Sequence, residues 1–166
     1  RGQDKRGVTA YKFSEQVCTM IFVRAAIPER DGPGPSATPE TVMQPLSNLD
    51  ASFLHLEKTG TPMHVGGLLL FAAPRDGVMT FDRFRRHVGT RMQTARVFRQ
   101  RLVMPAGPLL RPVWVEDPEF RLDNHLRRRP VNTPITRESL EAVCSAFFSK
   151  PLRRDQPLWE LMFVHN

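Results

Sequence analysis

The sequence is poor in several features that would point to a definite class of protein. It has two cysteines, Cys18 and Cys144, which lie far apart and outside any CxxC pattern. Free thiols in a reducing compartment are the expected state of such a pair, and a zinc site is not expected. No apolar run approaches the about 20 residues that span a bilayer. The best candidate, Val17 to Val23, ends at Arg24.

Common motifs of catalysis and nucleotide binding are also missing. The sequence contains no GxGxxG, GxxxxGK[ST], GxSxG or HExxH pattern. Its five histidines are scattered, and no two are four residues apart. A single histidine is more often structural than catalytic. We retain His64 and His125 as weaker site candidates because both lie in or beside predicted strands.

The composition suits a folded core, whereas the charge alone does not define a partner. Of 166 residues, 40% are hydrophobic and 11 are Phe, which argues against intrinsic disorder. The net charge is +7, from 20 Arg and 4 Lys against 17 acidic residues. Because the arginines are spread along the chain, a solvated face is favoured over a binding patch. Only Tyr11, Trp114 and Trp159 join the Phe residues, so no basic and aromatic cluster predicts nucleic-acid binding.

The chain divides at residue 44 into a predicted leader and a predicted domain. Residues 1–44 combine a polar, basic start, a short apolar piece and a linker rich in Gly, Pro and Ser. The apolar piece is compatible with a strand or a short amphipathic helix, and disorder of the whole leader is a third alternative. Residues 45–166 carry the periodic patterns of an ordered α/β domain.

Three helices are predicted from caps and apolar periodicity. Ser47, with Asp50 three residues later, begins a helix that we expect to end at Gly60. Thr80 caps a second helix, with Asp82 in its first turn. Thr136 caps a third, from about residue 137 to 149.

Strands are predicted between these helices. The continuous apolar run from Met63 to Ala73 predicts a strand covered on both faces, with a bulge or a close backbone approach at Gly66-Gly67. The remaining predicted strands are Leu109 to Val115 with an edge or bulge at Pro112, Phe120 to Leu126 closed by the arginine run 127–129, and Leu158 to Val164. Parallel and antiparallel pairing are not separable at this point.

Three segments resemble one family, in that family's order. They are PLSNLDASFLHLEKTGTPMHVGGLLLF at 45–71, LDNHLR at 122–127 and PLWE at 157–160. They are similar to the opening signature, the Leu-Asp-x-His-Val-Arg strand and the Pro-Leu-Trp motif of the bacterial wax ester synthase/acyl-CoA:diacylglycerol acyltransferase family. The first segment is specific, whereas Pro-Leu-Trp-Glu alone is a weak signal. The resemblance covers residues 45–166.

The resemblance implies a fold and a reaction. The fold is α/β, the N-terminal half of a CoA-dependent acyltransferase of the chloramphenicol acetyltransferase type. The reaction joins the acyl group of a fatty acyl-CoA to diacylglycerol or a long-chain alcohol, giving triacylglycerol or a wax ester, without a cofactor or metal. In the family, a His-His-x-x-x-Asp-Gly motif follows Pro-Leu-Trp, and its second histidine acts as general base toward the alcohol, a poor nucleophile near neutral pH.

This sequence departs from the family at its catalytic motif. It has no His-His pair, and no Asp-Gly follows a histidine by four residues. We therefore predict no catalytic residue in these 166 residues and interpret them as a truncated N-terminal part. We expect them to be inactive alone, since a general base contributes about 10²–10⁴ in rate. Pro157, Leu158, Trp159 and Glu160 are the predicted substrate-channel residues; core packing by Trp159 is the competing interpretation.

Two alternatives accompany this reading. The first is a non-catalytic basic module that binds anionic membrane or lipid-droplet surfaces. The second is a condensation-domain relative, which would share the fold. The expected location is cytoplasmic, with peripheral attachment to membranes or lipid droplets as an alternative.

Overall fold

A computed structural model describes residues 17–26, 44–57, 61–72, 77–104, 106, 111–130 and 136–165, with the backbone alone for 17–24, 44 and 72. Within these ranges the strands are β1 (Val17–Ala25), β2 (Gln44–Pro45), β3 (Val65–Ala72), β4 (Gln100–Val103), β5 (Val113–Glu116), β6 (Leu126–Pro130) and β7 (Trp159–His165). The helices are α1 (Asn48–Leu56), α2 (Phe81–Met92) and α3 (Arg137–Phe148), with short 3-10 turns at Arg96–Arg99 and Leu122–Asn124.

The main sheet has four strands in the order β3-β1-β7-β6. Strand β1 is antiparallel to both β3 and β7, and β6 runs parallel to β7. Of the two ordered forms left open for the apolar piece of the predicted leader, the structure has the strand. Because β1 pairs on both sides, the sheet extends across the predicted boundary at residue 44.

A second sheet has three antiparallel strands in the order β2-β5-β4. Strand β5 begins directly after Pro112, whose carbonyl accepts a hydrogen bond from the Leu46 N–H at 2.8 Å. This bond fixes the entry to α1 against the second sheet. The start of the strand predicted from Leu109 lies partly outside the described residues.

The three predicted caps are confirmed. Ser47 Oγ accepts from the Asp50 N–H at 3.1 Å, and Thr80 Oγ1 accepts from the Arg83 N–H at 3.2 Å. At α3, Thr136 and Ser139 form a reciprocal capping box. Each bond satisfies a helix N–H that has no partner within the helix. Helix α1 ends at Leu56, and Gly60, its predicted terminator, lies outside the described residues.

Alternation along β7 places one helix on each face of the main sheet. Phe163 is fully buried and contacts the α2 layer, where Phe84 stacks on it with ring centroids 5.1 Å apart. Met162 and Val164 face α3 and form a cluster with its buried side chains Leu140, Val143 and Phe147. A third cluster, Leu46, Leu102, Trp114 and Leu158, joins the second sheet to the start of β7.

The strand predicted from Met63 is confirmed as β3, but its predicted environment was wrong. The run from Met63 was expected to be covered on both faces, but β3 lies at the end of the described sheet, and Val65, Leu69, Leu70 and Phe71 are exposed. The register of β3 with β1 is continuous through Gly66 and Gly67, and a Cβ added at Gly67 would meet no atom within 4 Å. The glycines therefore form neither the predicted bulge nor, at Gly67, a close approach.

The second error concerns residues 120–130. The predicted strand from Phe120 is a turn and a short 3-10 helix, whereas the arginine run, expected to close a strand, forms most of β6. The physical reason is position: among the described strands β6 lies at the end of the sheet and has one buried side chain, Leu126, so its polar sequence is compatible with pairing to β7. Among the described residues, no helix is both long and apolar enough to cross a membrane.

Candidate functional site

The Pro-Leu-Trp-Glu segment, residues 157–160, is buried throughout at the start of β7. The Leu158 carbonyl accepts from the Ala26 N–H at 2.9 Å, which ties the segment to the end of β1. The Trp159 indole Nε1 donates to the Phe98 carbonyl at 2.7 Å. The segment therefore lies where both sheets and the layer of α2 meet.

His125 contacts Trp159 through its side chain and Leu161 through its backbone. Its Nδ1 donates to the Trp159 carbonyl at 2.9 Å, and its ring stacks on the Trp159 indole with centroids 4.3 Å apart and planes inclined by 18°. The His125 carbonyl accepts from the Leu161 N–H at 2.8 Å. Because a carbonyl can only accept, the proton of the neutral ring lies on Nδ1.

The environment of His125 favours its neutral form. The side chain is 1% exposed, and its Nε2 has no hydrogen-bond partner among the residues that the structure describes. Burial lowers the pKa of His125, and the hydrogen bond to the Trp159 carbonyl opposes that shift. This geometry makes His125 a positioning residue for Trp159 in the described structure.

Glu160 is held by an ion pair. Arg127 Nε lies 2.5 Å from Glu160 Oε1, and the Glu160 side chain is 10% exposed whereas that of Arg127 is 51% exposed. A buried carboxylate is costly without such a partner. Segments 122–127 and 157–160 are two of the segments that resemble the family. They thus contact each other at His125–Trp159 and at Arg127–Glu160.

An apolar cavity of about 210 Å³ lies on one side of the segment. We call apolar cavity the space bounded mainly by Ala25, Ala26, Leu46, Phe53, Leu54, Met63, Val65, Trp114, Leu152 and Leu158. Its volume exceeds the about 150 Å³ of an engineered cavity that holds benzene. It can therefore receive a segment of an apolar chain.

Polar groups border the apolar cavity. Asp50, Glu57, His64 and Arg154 contribute to its wall, and Arg154 Nη2 pairs with Glu57 Oε2 at 2.7 Å. His64 stacks on Phe148 with centroids 6.3 Å apart. The indole Nε1 of the wall residue Trp114 is buried, and no described residue accepts a hydrogen bond from it. The cavity thus joins an apolar lining to a few polar side chains, as ligand sites do.

A basic groove of about 450 Å³ lies on the other side, between β6, β7 and α3. We define it by four cations, Arg127, Arg129, Lys150 and Arg153, together with Gln156 and Glu160. Trp159 also contributes to its wall. The Pro-Leu-Trp-Glu segment thus separates the two spaces, with Leu158 on the apolar cavity and Glu160 on the basic groove.

The structure brings the predicted site residues together in part. Leu158 and His64 line the same cavity, whereas His125 contacts Trp159 instead. Trp159 has the contacts of a core residue, 4% exposed, as the competing interpretation holds. The sequence analysis did not identify Trp114, the Glu57–Arg154 pair or Arg127 as site residues. The one signal in the sequence that could have identified any of them was the position of Arg127 in the LDNHLR segment. In the described ranges, no group of three His, Cys, Asp or Glu side chains could hold a metal ion.

Comparisons with known proteins identify the family. The family described as wax ester synthase/diacylglycerol acyltransferase catalytic domain matches residues 46–165. A putative diacylglycerol O-acyltransferase of Mycobacterium tuberculosis is 33% identical over 162 residues, which cover 97% of this chain and 31% of the relative. A probable diacylglycerol O-acyltransferase of the same organism is 36% identical over 121 residues, covering 73% of this chain and 44% of the relative.

A solved structure is also similar. The wax ester synthase/diacylglycerol acyltransferase of Marinobacter aquaeolei superimposes with a TM-score of 0.58 at 35% identity, over 74% of this chain and 29% of that protein. The mixed sheet between α2 and α3 is thus part of a CoA-dependent acyltransferase fold. The chain belongs to the wax ester synthase/diacylglycerol acyltransferase family. It spans between 31% and 44% of the length of these two curated relatives.

Proposed function

We propose that this chain contributes the apolar cavity to an O-acyltransferase that transfers a fatty acyl group from acyl-CoA to diacylglycerol or a long-chain alcohol. The observation that carries the proposal is the position of Leu158, from the Pro-Leu-Trp-Glu segment, in the wall of that cavity. Burial of each methylene of an acyl chain stabilises binding by about 0.8 kcal/mol.

Transfer itself needs a base that these 166 residues do not provide. His125 is buried against Trp159, and the family's His-His-x-x-x-Asp-Gly motif does not occur in the sequence. The chain alone is therefore expected to bind an acyl chain without transferring it, because removal of a general base costs about 10²–10⁴ in rate.

A chimera tests the activity. Residues 46–165, the span of the family match, would replace the corresponding segment of the Marinobacter enzyme, with the unmodified enzyme as positive control and the 166-residue chain as a separate sample. The expected result, with radiolabelled palmitoyl-CoA as donor and diacylglycerol or a long-chain alcohol as acceptor, is triacylglycerol or wax ester plus free CoA with the chimera, and no product with the chain alone. A folded chimera that binds palmitoyl-CoA and forms neither product would contradict the proposal, and product from the chain alone would contradict its predicted inactivity.

Peripheral binding to a lipid surface is a second proposal, supported by exposed apolar side chains. Leu49, Phe53 and Leu56 of α1 are 57%, 42% and 58% exposed, and their spacing of four and three residues puts them on one helix side. Co-sedimentation with neutral and anionic vesicles tests it. Binding that Leu56→Ser weakens is expected, since Leu56 is exposed and does not line the apolar cavity, and equal binding by that variant would contradict the role of α1.

A further inference from the structure

The apolar cavity has a closed end and an open side, which differ in exposure. Leu46, Trp114 and Leu158 form the closed end, where all three are buried and belong to one core cluster. Phe53 and Val65 border the open side, where both are exposed. A flexible ligand can therefore enter between the exposed residues, and its inner end stops at the buried cluster.

Charged side chains border the open side. Arg154 is exposed, and its Nη2 pairs with Glu57 Oε2 at 2.7 Å and donates to the Leu54 carbonyl at 3.3 Å. The CoA part of an acyl-CoA is far larger than a cavity of about 210 Å³. The acyl group therefore enters with its methyl end first, and its thioester stays on the side of Arg154 and Glu57.

The volume of the cavity limits how much of an acyl chain it can hold. Benzene, with six carbons, occupies an apolar cavity of about 150 Å³, so each carbon takes about 25 Å³. At that rate, the about 210 Å³ of this cavity hold about eight carbons. Carbons beyond that number stay at the open side and gain no further burial in the cavity.

Two wall residues are placed to set this limit. Trp114 is the largest side chain of the closed end, so a smaller residue there would lengthen the cavity. Ala26 contributes only a methyl group to the wall, and its N–H donates to the Leu158 carbonyl at 2.9 Å, which fixes its backbone beside the closed end. A larger residue at position 26 would shorten the cavity.

We infer that the apolar cavity selects acyl groups by length: it holds about eight carbons, methyl end first, and Trp114 and Ala26 determine that number. The inference rests on the proposed function, since it takes an acyl group as the ligand of the cavity. Each carbon that enters the cavity strengthens binding by about fourfold. Carbons added beyond the limit leave the affinity nearly constant.

A chain-length series tests this limit on the 166-residue chain. N-acetylcysteamine thioesters of saturated acyl groups from about four to about twelve carbons, a range that brackets the expected limit, would be titrated by calorimetry. The proteins are the wild type, Ala26→Leu and Trp114→Leu. Ala142→Leu is the matched control, because it makes the same substitution at an exposed position of α3. Thermal unfolding establishes that each variant is folded, and Ala26→Val or Trp114→Phe replaces a variant that is not.

In the wild type and the control, the dissociation constant should fall about fourfold per carbon up to about eight carbons and then change by less than about twofold in total. Ala26→Leu adds three carbons to the wall and should move this break to about five carbons. Trp114→Leu should move it to longer chains.

Two results would overturn the inference and leave the proposed function intact. One is a dissociation constant that keeps falling at the same rate through the longest thioester. The other is a break in the series that neither cavity variant moves. A folded chain that binds no thioester of any length would instead contradict the proposed function, and the inference with it, so the two failures are distinguishable.

Discussion

Protonation of His125 should destabilise the fold, and the structure fixes the sign of the effect. The ring is neutral with its proton on Nδ1, donated to the Trp159 carbonyl. A second proton would go to Nε2, which is buried and has no acceptor among the described residues. Burial lowers the pKa of His125 below its ordinary value of about 6.5.

The pH dependence follows from linkage. Because the folded-state pKa is below the unfolded one, the unfolded chain binds the proton more readily. The contribution of His125 to stability is therefore fully present above about pH 6.5 and decreases as the pH falls toward the folded-state pKa. In that window the free energy of unfolding should fall by at most about 1.4 kcal/mol per pH unit from this group.

Two substitutions separate the contributions of the ring. His125→Ala removes the hydrogen bond, the stacking on Trp159 and the buried volume, at an expected cost of about 2–4 kcal/mol. His125→Asn keeps a donor near the Nδ1 position and cannot titrate, so its cost should be smaller, about 1–2 kcal/mol. For a chain of this size, about 3 kcal/mol corresponds to a fall of about 6–12 °C in Tm.

Urea unfolding of the 166-residue chain, followed by tryptophan fluorescence between about pH 5 and 8, measures both effects. The acid-dependent loss of stability should be smaller in His125→Asn than in the wild type. His87→Asn is the control, since His87 is an exposed residue of α2. An unchanged pH slope in His125→Asn, or a wild type that gains stability from protonation of His125, would refute the reasoning.

Three further predictions follow from the same contacts. Arg127→Ala leaves the buried Glu160 carboxylate with one partner fewer and should lower the free energy of unfolding in urea by about 1–3 kcal/mol, a range that allows for the half-exposed arginine. Adding Glu160→Gln to that variant should recover part of the lost stability. Strictly additive effects of the two substitutions would count against the ion pair. Phe163→Ala, at a fully buried position, should lower the free energy of unfolding by about 3–5 kcal/mol. Phe71→Ala, at a position 44% exposed, should lower it by less than about 1 kcal/mol. Comparable losses of stability would argue against the position of Phe163 between β7 and α2. Ala26→Leu should fill part of the apolar cavity and weaken binding of a medium-chain acyl thioester roughly tenfold or more, measured by calorimetry. The control Ala142→Leu, on the exposed side of α3, should leave that affinity unchanged. Equal affinities of the two variants would place the acyl chain elsewhere.

The sequence predicts best those features whose cause is local. Ser47, Thr80 and Thr136 were identified as caps because the acceptor and the N–H that it binds are three residues apart. The buried faces of α2 and α3 follow from helical periodicity in the same way. Resemblance to the family supplied the fold, which no local pattern contains.

Strand environment was harder to predict because it depends on neighbours distant in sequence. The apolar residues of β3 suggested two covered faces, yet β3 lies at the end of the described sheet. The arginine run 127–129 was expected to close a strand, yet it forms most of β6, because pairing with β7 needs only the backbone and one buried leucine. Propensity in strands reflects such tertiary context more than intrinsic preference.

The candidate site shows the same limit. Residues 157–160 were found through a motif, but their contacts join positions far apart in the chain: 34 residues for His125–Trp159 and 33 for Arg127–Glu160. The Glu57–Arg154 pair at the apolar cavity spans 97 residues. The pattern of charged and apolar residues does not predict which distant positions pair, so these pairs are visible only in the folded chain.

Methyl NMR of the 166-residue chain with a medium-chain acyl thioester would test most directly whether the apolar cavity holds an acyl group. Leu46, Leu54 and Leu158 line the cavity, and Leu140, in the cluster under α3, serves as an internal control. The account predicts shifts and intermolecular NOEs at the three cavity leucines and none at Leu140. A folded chain in which the thioester binds without perturbing Leu46, Leu54 or Leu158, or does not bind at all, would contradict it.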